Sequence, residues 1–142
     1  MAYEEKGAWI MAAVTIVTYL WYLRTILGRA AGVPLTDVPY AATLLWTVGV
    51  AVVLIVIAHI VAAATAPREA GKKDLRDREI NRFGEYIGQS FVVVGGVAAL
   101  FMALVELDYF WIANVIYLCF ALSAVLGSVA KIVAYRRGLP QW

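Results

Sequence analysis

Long apolar runs alternate with short polar links along this chain, and the pattern occurs four times. The runs cover about residues 7–27, 40–64, 86–106 and 109–133. Each run has close to the 20 apolar residues that a helix needs to cross about 30 Å of hydrocarbon. The pattern therefore predicts an all-α, polytopic membrane protein. We expect its 142 residues to form one domain of four transmembrane helices arranged as two hairpins.

Composition supports a membrane protein and gives no sign of an enzyme. The chain is 63% hydrophobic and 15% charged, whereas soluble domains are about 45–50% apolar and about 25% charged. A single cysteine, Cys119, and a single histidine, His59, exclude an intrachain disulfide and a histidine cluster for zinc. No HExxH, GxSxG or glycine-rich phosphate loop is present. We therefore expect no catalytic residues, no cofactor and no metal site.

The distribution of Lys and Arg predicts the orientation in the membrane. All twelve basic residues except Arg24 and Arg29 lie in segment 67–85 or near the two ends of the sequence. Because Lys and Arg favour the cytoplasmic side, we expect both termini and this segment in the cytoplasm. Glu4 and Glu5 precede the first run, where a signal peptide would be basic. The first run should therefore remain in a multi-pass protein of the plasma or inner membrane.

Segment 67–85 interleaves acids with bases between the second and third runs. Nothing blocks a helix between Asp74 and Gly84, so the third helix should extend into the cytoplasm over about Asp74–Glu85. Acid–base pairs along this helix, such as Asp74 with Arg78 at i,i+4, would each stabilise it by about 0.2–0.5 kcal/mol. One interpretation is a solvated extension whose charges pair with each other. The near balance of acids and bases argues against nucleic acid as a partner.

The second interpretation is a docking face for a cytoplasmic protein or for anionic lipid. It assigns this role to the five basic residues Lys72, Lys73, Arg76, Arg78 and Arg82. The function it predicts is that of a non-enzymatic interaction, regulatory or accessory protein.

The alternative function is a small proton-coupled transporter or channel. His59 is an ionisable residue inside a predicted span, and such residues are often functional. Its place near the end of the second run also fits an interfacial, structural histidine. Glu106 and Asp108 could handle protons or hold a cation in the link between the last two runs, although a tight turn needs polar groups in any case.

Small residues recur in the third and fourth runs, and such residues let membrane helices approach closely. Those that we expect to pack the second hairpin are Gly95, Ala99, Ala103, Ser123 and Gly127. Their use in a homo-oligomer is the second possibility. Asn114 could hydrogen-bond between helices.

Two stretches of the second half resemble a family. These are DLRDREINRFGEYIGQSFVVVGGVAAL and DYFWIANVIYLCFALSAVLGSVAKIVAYRRG. Together they are similar to a group of four-helix membrane proteins of unknown function from bacteria, especially actinobacteria. The resemblance covers Asp74–Gly138 best, with D-x-x-D-R-E-I and F-W-I-A-N as its most characteristic parts. It implies an integral inner-membrane protein of unknown function, and no catalytic residues can be carried over from it.

Overall fold

Four long helices make up most of the structure, a computed structural model that describes residues 2–68, 70 and 72–141. They are α1 (Tyr3–Arg29), α2 (Ala41–Thr65), α3 (Leu75–Leu104) and α4 (Tyr109–Arg137). Each is long and apolar enough to cross a membrane. The described residues contain no strand, and one short 3₁₀ turn, Leu35–Asp37, lies between α1 and α2. The prediction of an all-α, four-helix membrane fold is confirmed.

Polar caps and backbone turns set the ends of the second hairpin. Asp74 caps the start of α3 and Asp108 caps the start of α4 through their side-chain oxygens. Glu106, between the two helices, has a φ of 56° and Gly138, after α4, has a φ of 86°. Both values lie in the left-handed region, which ends a right-handed helix.

The third helix is longer than a bilayer requires. Its 30 residues extend over roughly 45 Å at about 1.5 Å per residue, against about 30 Å of hydrocarbon. The excess corresponds to roughly ten residues, and the charged residues of α3 all lie in its first eleven positions, 75–85. The predicted helical extension of the third span thus exists as the first turns of α3.

The helices contact one another in the order α2, α1, α4, α3. The largest contact is between α3 and α4, and α1 lies between α4 and α2. The two hairpins therefore meet through α1 and α4. We call the end where α1 and α3 begin and α4 ends the charged end, and the opposite end, with Glu106 and Asp108, the turn end.

A buried cluster joins α1 to α4 near the turn end. Tyr22, Ile26, Val38 and Phe110 form its centre. The fully buried Tyr22 donates a hydrogen bond from its hydroxyl to Asn114 Oδ1 over 2.6 Å. Asn114 therefore links two helices, as predicted, and its partner is on α1.

Glycines bring α3 and α4 into close contact. A Cβ atom on Gly95 would lie 2.5 Å from Cys119 Cβ, and one on Gly88 would lie 3.0 Å from the Ser123 carbonyl oxygen. A Cβ atom on Gly127 would lie 2.9 Å from the Gly84 carbonyl oxygen. The backbones can approach this closely only because these positions lack side chains.

The predicted packing residues of the second hairpin do not all lie in this contact. Gly95, Ser123 and Gly127 do, and Ala99 is buried on the same side of α3. Ala103 is exposed, so the expectation that it packs the hairpin is wrong. It falls in the last turn of α3, beyond the buried residues of that helix.

Candidate functional site

Segment 67–85 begins its helix with a reciprocal cap. The Asp77 backbone N–H donates to Asp74 Oδ1 over 2.8 Å, and the Asp74 backbone N–H donates to Asp77 Oδ2 over 3.3 Å. This capping box satisfies two backbone donors that the first turn leaves without helical partners. It starts α3 at Leu75, so the arginines that follow are held on a regular helix. Glu69 and Gly71 lie outside the described residues.

Two hydrogen bonds fasten the start of α3 to the end of α4. The Tyr135 hydroxyl donates to Asp77 Oδ1 over 2.7 Å, and the Arg76 guanidinium donates to the Tyr135 carbonyl oxygen over 3.2 Å. Tyr135 lies beyond the fourth apolar run, which ends at about residue 133. Burial, reinforced by the hydrogen bond to the Asp77 carboxylate, raises the pKa of this phenol above its ordinary value. Tyr135 is therefore a donor throughout the physiological pH range.

Two acids of α1 receive the other contacts at the charged end. Lys73 Nζ lies 3.7 Å from Glu4 Oε2, and the Asn81 amide donates to the same oxygen over 3.4 Å. Arg136 Nε donates to Glu5 Oε1 over 3.3 Å. Glu5 is only 8% exposed, and a carboxylate with so little contact with water needs a partner.

Together these contacts join three helix ends, and we call the set the terminal clasp. Its members are Glu4, Glu5, Lys73, Arg76, Asp77, Asn81, Tyr135 and Arg136. Arg136 also lies over the Trp9 ring at 5.6 Å from its centroid, a distance that suits a cation–π contact. The clasp fixes α3 against both α1 and α4.

The structure divides the five predicted docking residues into two groups. All five residues are exposed, but Lys73 and Arg76 contact other helices through the terminal clasp, whereas Lys72, Arg78 and Arg82 form no ion pair with another described residue. The described residues contain two ion pairs, and both end on α1. The expected pairing of Asp74 with Arg78 along the helix is therefore wrong. Asp74 instead caps the helix, which is the stronger use of a carboxylate at that position.

One face of α3 is exposed opposite the clasp. Arg78, Arg82 and Tyr86 follow one another at spacing four, so they lie on the same side of the helix. Tyr86 is 74% exposed. We call these three residues the docking stripe.

An apolar groove runs along the edge of the docking stripe. It has a volume of about 750 Å³ and lies between Phe83 and Ile87 of α3 and Leu139 and Pro140, which follow α4. Glu79, Arg82 and Tyr86 line its polar side. The groove and the stripe thus share one edge of the helix.

His59 lies near the charged end of α2, against α1. Its Nδ1 atom is 2.8 Å from the Ile55 carbonyl oxygen, one turn earlier. Since a carbonyl oxygen only accepts, Nδ1 carries the proton. The other ring nitrogen, Nε2, is directed to Gly7, where a Cβ atom would lie 3.2 Å away. The ring therefore packs at a helix contact and is only partly exposed.

Glu106 and Asp108 lie at the turn end, at the far end of the helices from His59. Asp108 Oδ1 accepts a hydrogen bond from the Phe110 backbone N–H over 2.9 Å and so caps α4. Both residues are exposed, and no group of three or more metal-binding side chains occurs among the described residues. A proton relay between His59 and Glu106 would have to cross the apolar interior of the bundle. The side-chain contacts of the described residues do not connect the two.

Sequence reasoning did not find the partners of the clasp. Glu4 and Glu5 entered only as residues that precede the first run, and Tyr135 lies outside the four predicted runs. Their roles depend on which helices are neighbours at the charged end.

Comparisons with protein families, with curated proteins and with solved structures find no match for this chain.

Proposed function

We propose that this chain is a non-enzymatic membrane protein that docks a cytoplasmic protein partner through the docking stripe. In this proposal the charged end faces the cytoplasm, since that orientation places all the basic residues except Arg24 and Arg29 on the cytoplasmic side. The protein would lie in the plasma or inner membrane. We also propose that the protein is related to the bacterial four-helix membrane proteins that its second half resembles. Such a relation agrees with a location in the plasma or inner membrane.

The observation that carries the proposal is the division of the charged segment into a fastened side and an exposed side. The capping box and the terminal clasp hold the first turns of α3 in place through Asp77 and Asn81. Arg78, Arg82 and Tyr86 extend from the opposite side. A partner would therefore meet a surface that is already ordered, which lowers the entropic cost of binding.

The residue types of the stripe suit protein recognition. Arg and Tyr are enriched among the residues that dominate binding energy at interfaces. Positions i, i+4 and i+8 span roughly 12 Å along a helix. Since guanidinium groups bind carboxylates with two parallel hydrogen bonds, we propose a partner that offers acidic side chains opposite Arg78 and Arg82, which lie about 6 Å apart along the helix.

Site-specific photocrosslinking in the cells that produce the protein tests the proposal. A photoreactive phenylalanine derivative replaces Tyr86 in one variant and Tyr109 in another. Tyr109 is the matched control because it is also a highly exposed tyrosine, at the turn end. We expect a discrete crosslinked adduct from position 86 and not from position 109.

Charge reversal separates specific docking from chance proximity. Arg78→Glu should abolish the adduct at position 86, because it places a carboxylate opposite the partner's acids. Arg24→Glu changes an exposed arginine near the other end and should leave the adduct unchanged. An adduct that persists in the Arg78→Glu variant would refute docking through the stripe.

A further inference from the structure

The groove beside the docking stripe continues into the part of the protein that lies in hydrocarbon. A second cavity, of about 410 Å³, shares Phe83, Ile87 and Pro140 with the first. Its other lining residues are Phe91, Leu126, Val129, Ala130, Val133, Ala134 and Gly138. The two cavities form one groove with an entirely apolar deep part.

The upper part of the groove lies at the depth of lipid headgroups. The third apolar run begins at about residue 86, and Arg82 lies four residues before it, or roughly 6 Å along the helix. Tyr86 lies at the boundary itself, where aromatic rings with a polar tip are favoured. A molecule that filled the whole groove would need an apolar chain below and a polar group above.

The chain after α4 forms one wall of the groove. Gly138, with its φ of 86°, ends α4 and turns the backbone. Leu139 and Pro140 then lie opposite Phe83 and form the second wall. Leu139 is partly buried by this packing. The wall is part of the fold and does not depend on a bound molecule.

The charges at the mouth indicate which headgroup fits. Glu79 and Arg82 are both exposed and both line the mouth. The two ion pairs among the described residues, at Glu4 and Glu5, involve neither of them. Arg82 suits a phosphate, and Glu79 suits a group that is cationic and donates hydrogen bonds.

We propose that this groove binds one phospholipid that carries both a phosphate and a primary ammonium group, such as a phosphatidylethanolamine. One acyl chain lies between Phe91 and Val129, the phosphate contacts Arg82 and the ammonium contacts Glu79. A phosphatidylglycerol headgroup has no ammonium for Glu79. A phosphatidylcholine headgroup has a quaternary ammonium that donates no N–H bond. The inference goes beyond the proposed protein docking and does not depend on it.

Native mass spectrometry of the purified protein tests this with three lipids of identical acyl chains. The protein is mixed with equal amounts of phosphatidylethanolamine, phosphatidylglycerol and phosphatidylcholine. We expect phosphatidylethanolamine to be retained about fivefold over phosphatidylglycerol, the factor that corresponds to one charge contact at a membrane surface. It should also be retained over phosphatidylcholine, whose headgroup is charged but donates no N–H bond to Glu79. Equal retention of the three lipids, or preference for phosphatidylglycerol, would overturn the proposal.

Two conservative variants assign the headgroup contacts. Glu79→Gln should remove the preference for phosphatidylethanolamine over phosphatidylglycerol while lipid is still bound. Arg82→Gln should lower the retention of both. Arg78→Glu, which reverses a charge of the docking stripe outside the groove, should leave the preference unchanged. Glu79→Gln makes this surface more positive and Arg78→Glu makes it more negative, so a general charge effect would shift the preference in opposite directions. An increased preference for phosphatidylethanolamine in Arg78→Glu, as large as the loss in Glu79→Gln, would show such an effect and overturn the proposal.

A third variant tests the acyl-chain part. Ala130→Trp should fill the deep groove and reduce bound lipid of all three kinds. Val53→Trp adds the same bulk on an exposed face of α2 and should have no effect. Circular dichroism confirms that both variants are folded. A dimer that Ala130→Trp abolishes would show a second copy to be the occupant and would refute the lipid proposal.

Discussion

Gly95→Ala should destabilise the protein although it adds only one methyl group. The new Cβ atom would lie 2.5 Å from Cys119 Cβ and 3.0 Å from Cys119 Sγ, whereas ordinary carbon contacts are about 3.5–4.0 Å. Since Cys119 Cβ is fixed to the backbone of α4, α3 and α4 must separate by roughly 1 Å to relieve the overlap. Overpacking of this kind costs about 1–3 kcal/mol. We therefore expect a lower free energy of unfolding by about that amount.

Unfolding in mixed micelles of a mild detergent and sodium dodecyl sulfate, followed by circular dichroism, measures the effect. Gly96→Ala is the matched control, because a Cβ atom on Gly96 meets no neighbour within 4 Å. It should be neutral or slightly stabilising, since alanine favours helix. Cys119→Gly removes the atom that Gly95→Ala would strike, so the double variant should show a coupling of about 1 kcal/mol or more. Equal effects of the two glycine substitutions, or no coupling, would refute the close contact between α3 and α4.

Three further substitutions test the turn, the clasp and the cap. Glu106→Ile should lower the melting temperature, because a β-branched residue is strained by about 1–2 kcal/mol at the observed φ of 56°, whereas Glu106→Asn should not. Tyr135→Phe removes the hydrogen bond to Asp77 and should lower the free energy of unfolding by about 1 kcal/mol at neutral pH. Because the native protein keeps the Tyr135 proton above the ordinary pKa of 10.0 and the unfolded chain releases it, wild-type stability should fall more steeply above that pH than that of the variant. Asp74→Ala should cost about 0.5–2 kcal/mol of helix stability and speed amide hydrogen exchange in the first turn of α3, with unchanged exchange at the start of α4 as the control.

The four helices could be predicted because hydrocarbon imposes a strong constraint on the sequence. A helix that crosses it needs about 20 residues without charge, so polar residues such as Glu85, Glu106 and Asp108 mark where the runs stop. The predicted runs accordingly lie within the observed helices, apart from Tyr40 before α2 and Val105 and Glu106 after α3. Helix ends were less predictable, since caps and positive φ values depend on single residues. The left-handed conformation of Glu106, for example, has no signal in the residue type.

How the two hairpins contact each other could not be predicted from the runs. Several arrangements of the four helices would fit the hydropathy pattern equally well, because lipid is as apolar as the helices themselves. The contact between Asn81 and Glu4 joins residues 77 positions apart, and it exists only because α1 and α3 both begin beside the end of α4. The ion pair expected between Asp74 and Arg78 is absent because Asp74 caps α3. Lys73 pairs with Glu4 of α1, whereas Arg78, Glu79, Arg82 and Glu85 are exposed.

The glycine positions in α3 nevertheless indicate which of its charged residues face away from α4. Gly84, Gly88 and Gly95 share one side of the helix, and this side packs on α4. Extending the same side toward the start of α3 at helical spacing leads to Asn81 and Asp77, two of the three α3 residues whose side chains bond across the clasp. The opposite side must then carry Arg78, Arg82 and Tyr86, which are the residues of the docking stripe. The glycines that allow α3 to approach α4 within the apolar part thus decide which charged residues at its end contact other helices and which extend from the opposite side.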